Sequence, residues 1–259
     1  MEVYYLEFLR VYEYDNKIRF GNKYDGGYVV GELLDNAYDC YISAGVSTEE
    51  SFTRDFLNKY KIPKKDCYAF DGTIENYPKG YSENIQFIKK NINSFNSDNN
   101  TNLEDIFEKY RNIFVKMDIE GYEYPWILSM SNEHLKKIKQ CVIEFHGAGD
   151  NSWKWEHSDK VKCWMKMNKT HFLIHTHGNN YGSCKNGIPE TLELTYMNYN
   201  EFNNIPSFNK RYLPIDNLDY PNYTKKPDYN LCFYPFVYNA KMIGSHIVKD
   251  VALTHQDHF

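Results

Sequence analysis

The chain lacks several features by which large classes of proteins are recognised. Its 35 acidic residues outnumber its 30 basic ones, which gives a formal charge of −5, so there is no basic surface for DNA or RNA. No apolar run approaches the roughly 18 residues that a membrane helix needs. The first ten residues lack the basic and apolar regions of a secretion signal. We therefore expect a cytoplasmic protein with no nucleic acid partner and no membrane span, and its oligomeric state stays open.

Two sequence patterns of cofactor and metal sites are also missing. The six cysteines form neither a C-x-x-C pair nor a zinc-ligand spacing. Cys40, Cys67 and Cys141 each stand near the start of an apolar run, and we expect buried thiols there. There is no G-x-G-x-x-G sequence, so no glycine turn is available for a dinucleotide pyrophosphate. A dehydrogenase is therefore disfavoured.

What the chain does contain is an alternation of apolar and helix-like segments. Seven strands are predicted, at 39–45, 66–71, 84–92 (the weakest), 113–118, 140–146, 171–178 and 192–198. Four helices are predicted between them, at 48–60, 103–111 (capped by Thr101 or Asn102), 122–138 (with its proline in the first turn) and 161–169. This order predicts an α/β fold with a mostly parallel seven-stranded sheet and helices on both faces.

The flanking segments differ from this core in composition. We interpret residues 1–38 as an N-terminal cap segment and residues 39–199 as the core. Residues 200–259 are interpreted as irregular chain that wraps the same domain, because the stretch up to residue 235 is rich in Pro, Asn and Tyr.

Two predicted strands end in residues that suit a nucleoside cofactor. The first strand ends at Gly45, and the second ends at Asp71, whose carboxylate could accept from both hydroxyls of a ribose. This combination occurs in dinucleotide and S-adenosylmethionine sites alike, and the missing glycines favour the second. A plain turn at Asp71-Gly72 explains the same residues equally well.

Ionisable residues also follow the later strands. If the strands are neighbours, Asp118, Glu144 and His146 converge at one rim of the sheet. Such a set can hold a hydroxyl group and take its proton, with His146 as the base and Asp118 or Glu144 orienting it. It can also bind Mg²⁺ or Mn²⁺, with His177 from the next strand as a further ligand. Both alternatives stay open, and a histidine at a strand end is more often only hydrogen-bonded.

Seven short motifs occur in one order along most of the chain. They are Arg19 and Gly21 with DGGY (25–28), YISAGVSTEESF (41–52), YAFD (68–71), VKMDIEGYEYPWIL (115–128), IEFH (143–146), HTHGNN (175–180) and LDYPN (218–222). Together they resemble the motifs of FkbM-type S-adenosylmethionine-dependent methyltransferases, and more closely still those of the relatives that resemble methyltransferase-like 24 proteins.

The resemblance implies a fold and a set of site residues. The fold is the Rossmann-like class I methyltransferase fold, with strand order 3-2-1-4-5-7-6 and an antiparallel seventh strand. Gly45 and its neighbours would face the methionine part of S-adenosylmethionine, and Asp71 would hold its ribose. The full set of cofactor-binding residues is Tyr28, Gly45, Val46, Ser47, Ser51, Asp71, Gly72 and Asp118. Glu120 and Glu123 are expected to shape the turn into the next helix, with Glu123 stabilised by the helix dipole.

The resemblance also implies O-methylation of a small-molecule or saccharide acceptor. We expect a sugar, a sugar nucleotide or a related polysaccharide precursor, and a phosphoryl or phosphoramidate oxygen is an alternative that would need no base. Residues 147–160 are the predicted acceptor loop, and Trp153, Trp155 and Trp164 could form an aromatic wall for a sugar. A catalytically silent module that binds the cofactor or a carbohydrate is the competing interpretation.

Overall fold

The computed structural model describes residues 4–81, 83–149, 155–185 and 187–238. These residues form β-strands and five short α-helices. The strands are β1 (Lys17–Phe20), β2 (Tyr28–Gly31), β3 (Cys40–Ala44), β4 (Cys67–Phe70), β5 (Gln86–Ile88), β6 (Asn91–Ile92), β7 (Asn100–Thr101), β8 (Ile113–Met117), β9 (Ile138–Phe145), β10 (His171–Gly178), β11 (Cys184–Lys185), β12 (Ile188–Pro189) and β13 (Leu192–Asn198). The helices are α1 (Ser51–Tyr60), α2 (Glu104–Lys109), α3 (Glu123–Ser129), α4 (Asn132–Lys137) and α5 (His157–Met167).

Seven of these strands form the central sheet in the order β10-β13-β9-β8-β3-β4-β5. The five strands from β9 to β5 are parallel to one another, and β13 is antiparallel to both β9 and β10. Counted along the chain and read from the β5 edge, this order is 3-2-1-4-5-7-6. The predicted sheet, its topology and its antiparallel seventh strand are therefore confirmed.

Successive side chains of the central strands point to opposite faces of the sheet and belong to two different apolar layers. Ile42, Val115 and Ile143 belong to the layer that includes buried residues of α2, α3, α4 and α5. Tyr41 and Phe114 belong to the opposite layer, with α1 and the β1–β2 hairpin. Helices thus cover both faces, as predicted, but one face carries four of them and the other carries one helix and a hairpin.

Several element boundaries differ from the prediction. The predicted helix at 122–138 is divided into α3 and α4, because Met130 is extended and the hydroxyl of Ser131 accepts from the His134 amide as a new N-cap. The segment 84–92 is also divided, since β5 joins the main sheet while β6 pairs with β7 in a separate two-stranded sheet. The hairpin β1–β2 was not predicted at all.

Three helices begin elsewhere than predicted, and one of them is α5, which starts at His157 rather than at residue 161. Helix α1 starts at Ser51 rather than at residue 48, so its two glutamates precede the first turn. In front of α2, Leu103 occupies the N-cap position with φ +67. Thr101 and Asn102 accept from the amides of Leu103 and Glu104, so they close the turn before the helix rather than cap it.

The described residues 202–238 contain neither helix nor strand. They are joined to the N-terminal segment by backbone hydrogen bonds, such as that from Asn209 N to Val11 O at 2.8 Å. All six cysteines are free thiols, and Cys40, Cys67 and Cys141 are buried as predicted. Among the described residues, every helix falls short of the length and apolar character that crossing a membrane demands.

Candidate functional site

The loops that follow β3 and β8 touch at the carboxyl edge of the sheet, and a glycine makes this contact feasible. Gly45 has φ +79, and a Cβ atom there would lie 1.6 Å from the carbonyl oxygen of Asp118. The Asp118 amide donates to the Ala44 carbonyl at 2.9 Å, and the Gly45 amide donates to the Phe70 carbonyl at 2.9 Å. Only glycine fits this position, and the contact brings the ends of β3, β4 and β8 together.

Asp71 holds the loop after β3 from the neighbouring strand end. Its Oδ2 accepts from the amides of Val46 and Ser47, at 3.0 and 2.9 Å. Its Oδ1 accepts from the amide and hydroxyl of Thr73. Burial alone would raise the pKa of Asp71, but these hydrogen bonds outweigh it, so the pKa lies below its ordinary value. The carboxylate is therefore ionised and fixed beside the loop.

The other predicted cofactor residues lie at different distances from this loop. The Gly72 amide donates to Asn91 Oδ1, which holds the turn after Asp71. The hydroxyl of Ser51 accepts from the Asn22 amide at 2.8 Å, so Ser51 binds the β1–β2 loop. Tyr28, also from that hairpin, contacts Glu144 rather than Asp71. The predicted set is thus divided between the Asp71 side and the Glu144 side of the site.

His146 lies among four carboxylates directly after β9. Its Nδ1 lies 3.2 Å from Glu123 Oε1. Its Nε2 lies 3.6 Å from Glu120 Oε2 and 3.8 Å from both Asp118 Oδ1 and Glu144 Oε1. Asp118, Glu144 and His146 therefore lie together at one rim of the sheet, as predicted.

These carboxylates decide the protonation of His146. Burial alone would lower the pKa of the imidazole, but the hydrogen bond and charge of Glu123, with the charges of Glu144 and Asp118, raise it to about 9. His146 is therefore an imidazolium near neutral pH unless another positive charge binds beside it.

Glu144 is a second buried carboxylate of the group, beside Glu123. It accepts from the Tyr28 hydroxyl at 3.1 Å and from the Asn179 side-chain amide at 2.8 Å. Glu193 lies directly opposite it on β13. Burial, followed by the charges of Asp118 and Glu193, raises the pKa of Glu144 well above its ordinary value. Glu144 is therefore suited to sharing or holding a proton.

His177 lies apart from His146, on β10. Its Nδ1 is 3.1 Å from Glu193 Oε2, and its Nε2 is 3.0 Å from Asp228 Oδ1. Both ring nitrogens are thus engaged within the protein. In the described part of the chain, the group whose ligand atoms lie within 4.8 Å of one another is Asp118, Glu120 and His146. Two carboxylates and an imidazole can bind a divalent cation such as Mn²⁺.

The predicted aromatic wall is not assembled as expected. Trp164 is completely buried and belongs to the apolar core, so it cannot contact a ligand. Trp155 donates its indole N–H to the Gly121 carbonyl at the turn before α3 and packs edge-on against Tyr122. Trp153 and the rest of the stretch 150–154 lie outside the described residues.

Sequence reasoning missed three polar partners of the site. Glu193 interrupts an apolar strand, which is itself a signal because unpaired acids are rarely buried. Asn222 donates to Glu193 Oε1 at 2.7 Å, and it belongs to the LDYPN motif. Glu123 was expected only at a helix start, yet it is fully buried against His146.

One comparison with known proteins bears on this arrangement. The model of the methyltransferase FkbM domain matches residues 22–179, which is more than half of the 259 residues. The matched range includes the loops after β3, β4, β8 and β9, and it ends before β13. Among curated proteins, none shows significant similarity to this chain.

Proposed function

Because the chain belongs to the methyltransferase FkbM domain family, we propose that it transfers a methyl group from S-adenosylmethionine to an oxygen of a small acceptor. The proposed acceptor is a sugar, a sugar nucleotide or a related polysaccharide precursor. The observation that carries this proposal is the contact between the Gly45 loop and Asp118, which joins the Asp71 loop to the His146 carboxylate group.

The chemistry of the residues present fits the cofactor. Asp71 and Asp118 are acids at the ends of β4 and β8, on either side of β3, which suits ribose hydroxyls on one side and a sulfonium cation on the other. Val46, Ser47 and Gly72 complete the turns around Asp71. When bound, S-adenosylmethionine supplies an electrophilic methyl group on positively charged sulfur.

The chain's own contribution is to place the acceptor oxygen and to remove its proton. A neutral alcohol is a poor nucleophile until a base takes its proton. We assign this role to Nε2 of His146, with Glu144 and Asp118 beside it to receive further hydrogen bonds from the acceptor. Holding the reactants in line contributes several kcal/mol more, about 7–11 at the extreme.

The proposed base and a metal ligand both require an unprotonated His146. The surroundings of His146 raise its pKa to about 9, so this shift opposes both roles and favours neither. The alternative is a divalent cation bound by Asp118, Glu120 and His146, with Glu144 close by. The following experiments distinguish this alternative from a base at His146.

The test is calorimetric titration with S-adenosylmethionine, with and without Mg²⁺ or Mn²⁺. Wild type should bind, and Asp71→Asn should weaken binding by about tenfold or more, because it loses an ionised hydrogen-bond acceptor. Asp98→Asn, at an exposed loop position, should match wild type. Absence of binding by wild type under every condition would overturn the proposal.

Transfer of a radioactive methyl group to a panel of sugars and sugar nucleotides then tests the acceptor. Methylated sugar products in the presence of a chelator would support the proposal with His146 as the base. Transfer only with Mg²⁺ or Mn²⁺ would favour the metal alternative. Cofactor binding without transfer to any sugar would contradict the proposed acceptor class and favour a binding module.

A further inference from the structure

Glu123 occupies a position that a simple helix-start acid does not need. It is the first residue of α3 and is completely buried. Its Oε1 does not cap its own helix but turns back, accepting from the amides of Ile119 and Gly121 at 3.0 and 3.2 Å. The same oxygen lies 3.2 Å from Nδ1 of His146.

We propose that Glu123 is the positioning residue for His146, fixing its ring orientation and its tautomer for methyl transfer. This inference rests on the proposed function. Because Glu123 Oε1 already accepts from two backbone amides, it also acts as the acceptor towards Nδ1, so Nδ1 must carry the proton that faces it. Nε2 is then the nitrogen that can accept a proton, and it faces the rim formed by Asp118 and Glu144.

The other acids around His146 are less suited to this role. Asp118 Oδ1 and Glu144 Oε1 both lie 3.8 Å from Nε2, which is beyond hydrogen-bond distance. They are also on the side where an acceptor would bind. The Glu120 side chain is 81% exposed, so water screens its charge and its position is weakly restrained.

The backbone makes Glu123 a rigid support. The two amides that bind Oε1 belong to the turn between β8 and α3, which contains Glu120 and Gly121 at positive φ. The turn therefore fixes the carboxylate, and the carboxylate fixes an imidazole directly after the next strand of the sheet. Groups behind a reacting residue commonly set its tautomer and orientation in this way.

The first experiment observes His146 directly by nitrogen-15 NMR, without cofactor or acceptor. In wild type at pH 10, we expect the tautomer protonated at Nδ1, with a slowly exchanging proton shifted downfield by Glu123. Glu123→Gln should remove the downfield signal. Glu133→Gln is the matched control, because Glu133 is also a first-turn acid but is exposed and lies on α4.

The wild-type spectrum alone can overturn the inference. A tautomer protonated at Nε2 would show that Glu123 does not hold Nδ1–H, whether or not the variant folds. A downfield signal that persists unchanged in folded Glu123→Gln would also contradict it. Neither result depends on methyl transfer, so failure of this inference is distinguishable from failure of the proposed function, which calorimetry reports.

The second experiment is a double-mutant cycle with His146→Ala, using an acceptor from the sugar panel. Glu123→Gln alone should lower kcat roughly 10- to 100-fold, as is typical when a group that orients a reacting residue is lost, and leave the affinity for S-adenosylmethionine unchanged. In the His146→Ala background it should cost less than about twofold, because residues that act as a unit are not additive. An equal loss in both backgrounds would mean a structural role only.

Discussion

At the scale of single residues, the site depends on one imidazole surrounded by negative charge. The pKa of His146 is raised to about 9 from an ordinary 6.5, since Glu123, Glu144 and Asp118 outweigh its burial. A base must be neutral to take a proton. His146, the proposed base, is therefore mostly protonated at neutral pH in the absence of ligands.

We therefore expect kcat/KM to rise with pH, by about tenfold per unit at low pH, and to level off above about 9. A bound positive charge beside His146 disfavours the imidazolium, so kcat should level off at lower pH than kcat/KM. Initial rates between pH 6 and 10.5 measure both profiles. His134→Gln, which alters an imidazole on α4 that is paired with Glu108 on α2, should leave them unchanged. A kcat/KM that is constant over this range would contradict the base assignment.

The same pKa shift has a consequence for stability. The folded protein binds the His146 proton more tightly than the unfolded chain, whose histidine titrates near 6.5. The stabilisation is therefore fully present below pH 6.5 and is lost as the pH rises through about 9. Activity and stability thus respond to alkaline pH in opposite directions at this residue.

At the scale of elements, β8 supports the loop after β3 through a buried cation. Lys116 on β8 donates from Nζ to the Gly45 carbonyl at 2.6 Å and lies 3.7 Å from Glu50 Oε1. Glu50 precedes α1, is almost completely buried, and accepts from the Ser43 hydroxyl at 2.8 Å. One lysine therefore joins a strand, the candidate cofactor loop and the start of a helix.

Lys116→Met should lower the free energy of unfolding by about 3–5 kcal/mol, because it leaves Glu50 buried without an opposing charge. Lys116→Met combined with Glu50→Gln should recover most of this loss. Urea unfolding measures both changes. Lys162→Met, which removes a lysine whose side chain is 63% exposed, should change stability by less than about 0.5 kcal/mol. If Lys116→Met is no more destabilising than Lys162→Met, the buried pair does not contribute as argued.

The elements also show what could be predicted from the sequence. Apolar runs such as that of β8 are correctly predicted as strands, because strands buried on both faces of a parallel sheet are near-continuous apolar runs. The break between α3 and α4 was missed because Ser131 can lie within a helix or cap one, and only packing decides. The β1–β2 hairpin was missed because its strands have only four residues each. Residue types near strand ends pointed to the group around His146, whereas the position of Glu123 against His146 depends on a turn that periodicity does not describe.

At the scale of the whole molecule, the irregular chain after β13 is bound to the sheet by buried polar pairs. Asp219 Oδ1 lies 2.9 Å from His175 Nε2, and Asp219 Oδ2 accepts from the Ile215 amide. Asp228 engages His177 in the same way at 3.0 Å. These pairs lie beside Glu193, which faces Glu144 across the strands. The C-terminal chain is therefore part of the wall behind the candidate site.

Of these two aspartates, we expect Asp219 to contribute more to the free energy of unfolding. Burial would raise its pKa, but His175, His177 and the Ile215 amide lower it to about 2 from 3.8. Its stabilisation is therefore present above pH 3.8 and is lost as the pH falls towards 2. Asp219→Asn should cost about 2.5 kcal/mol of unfolding free energy at pH 7 and about half of that at pH 3, as measured by denaturant unfolding at each pH.

Asp216→Asn supplies the matched control, since Asp216 is exposed three residues away in the same segment. It should change stability by less than about 0.5 kcal/mol at either pH. Hydrogen exchange should show faster exchange in Asp219→Asn at the Ile215 amide, because its acceptor is replaced by a group that no longer carries a charge. If Asp219→Asn lowers the free energy of unfolding equally at pH 7 and pH 3, the charge of Asp219 does not hold the segment after β13 to the sheet. Packing alone would then hold it.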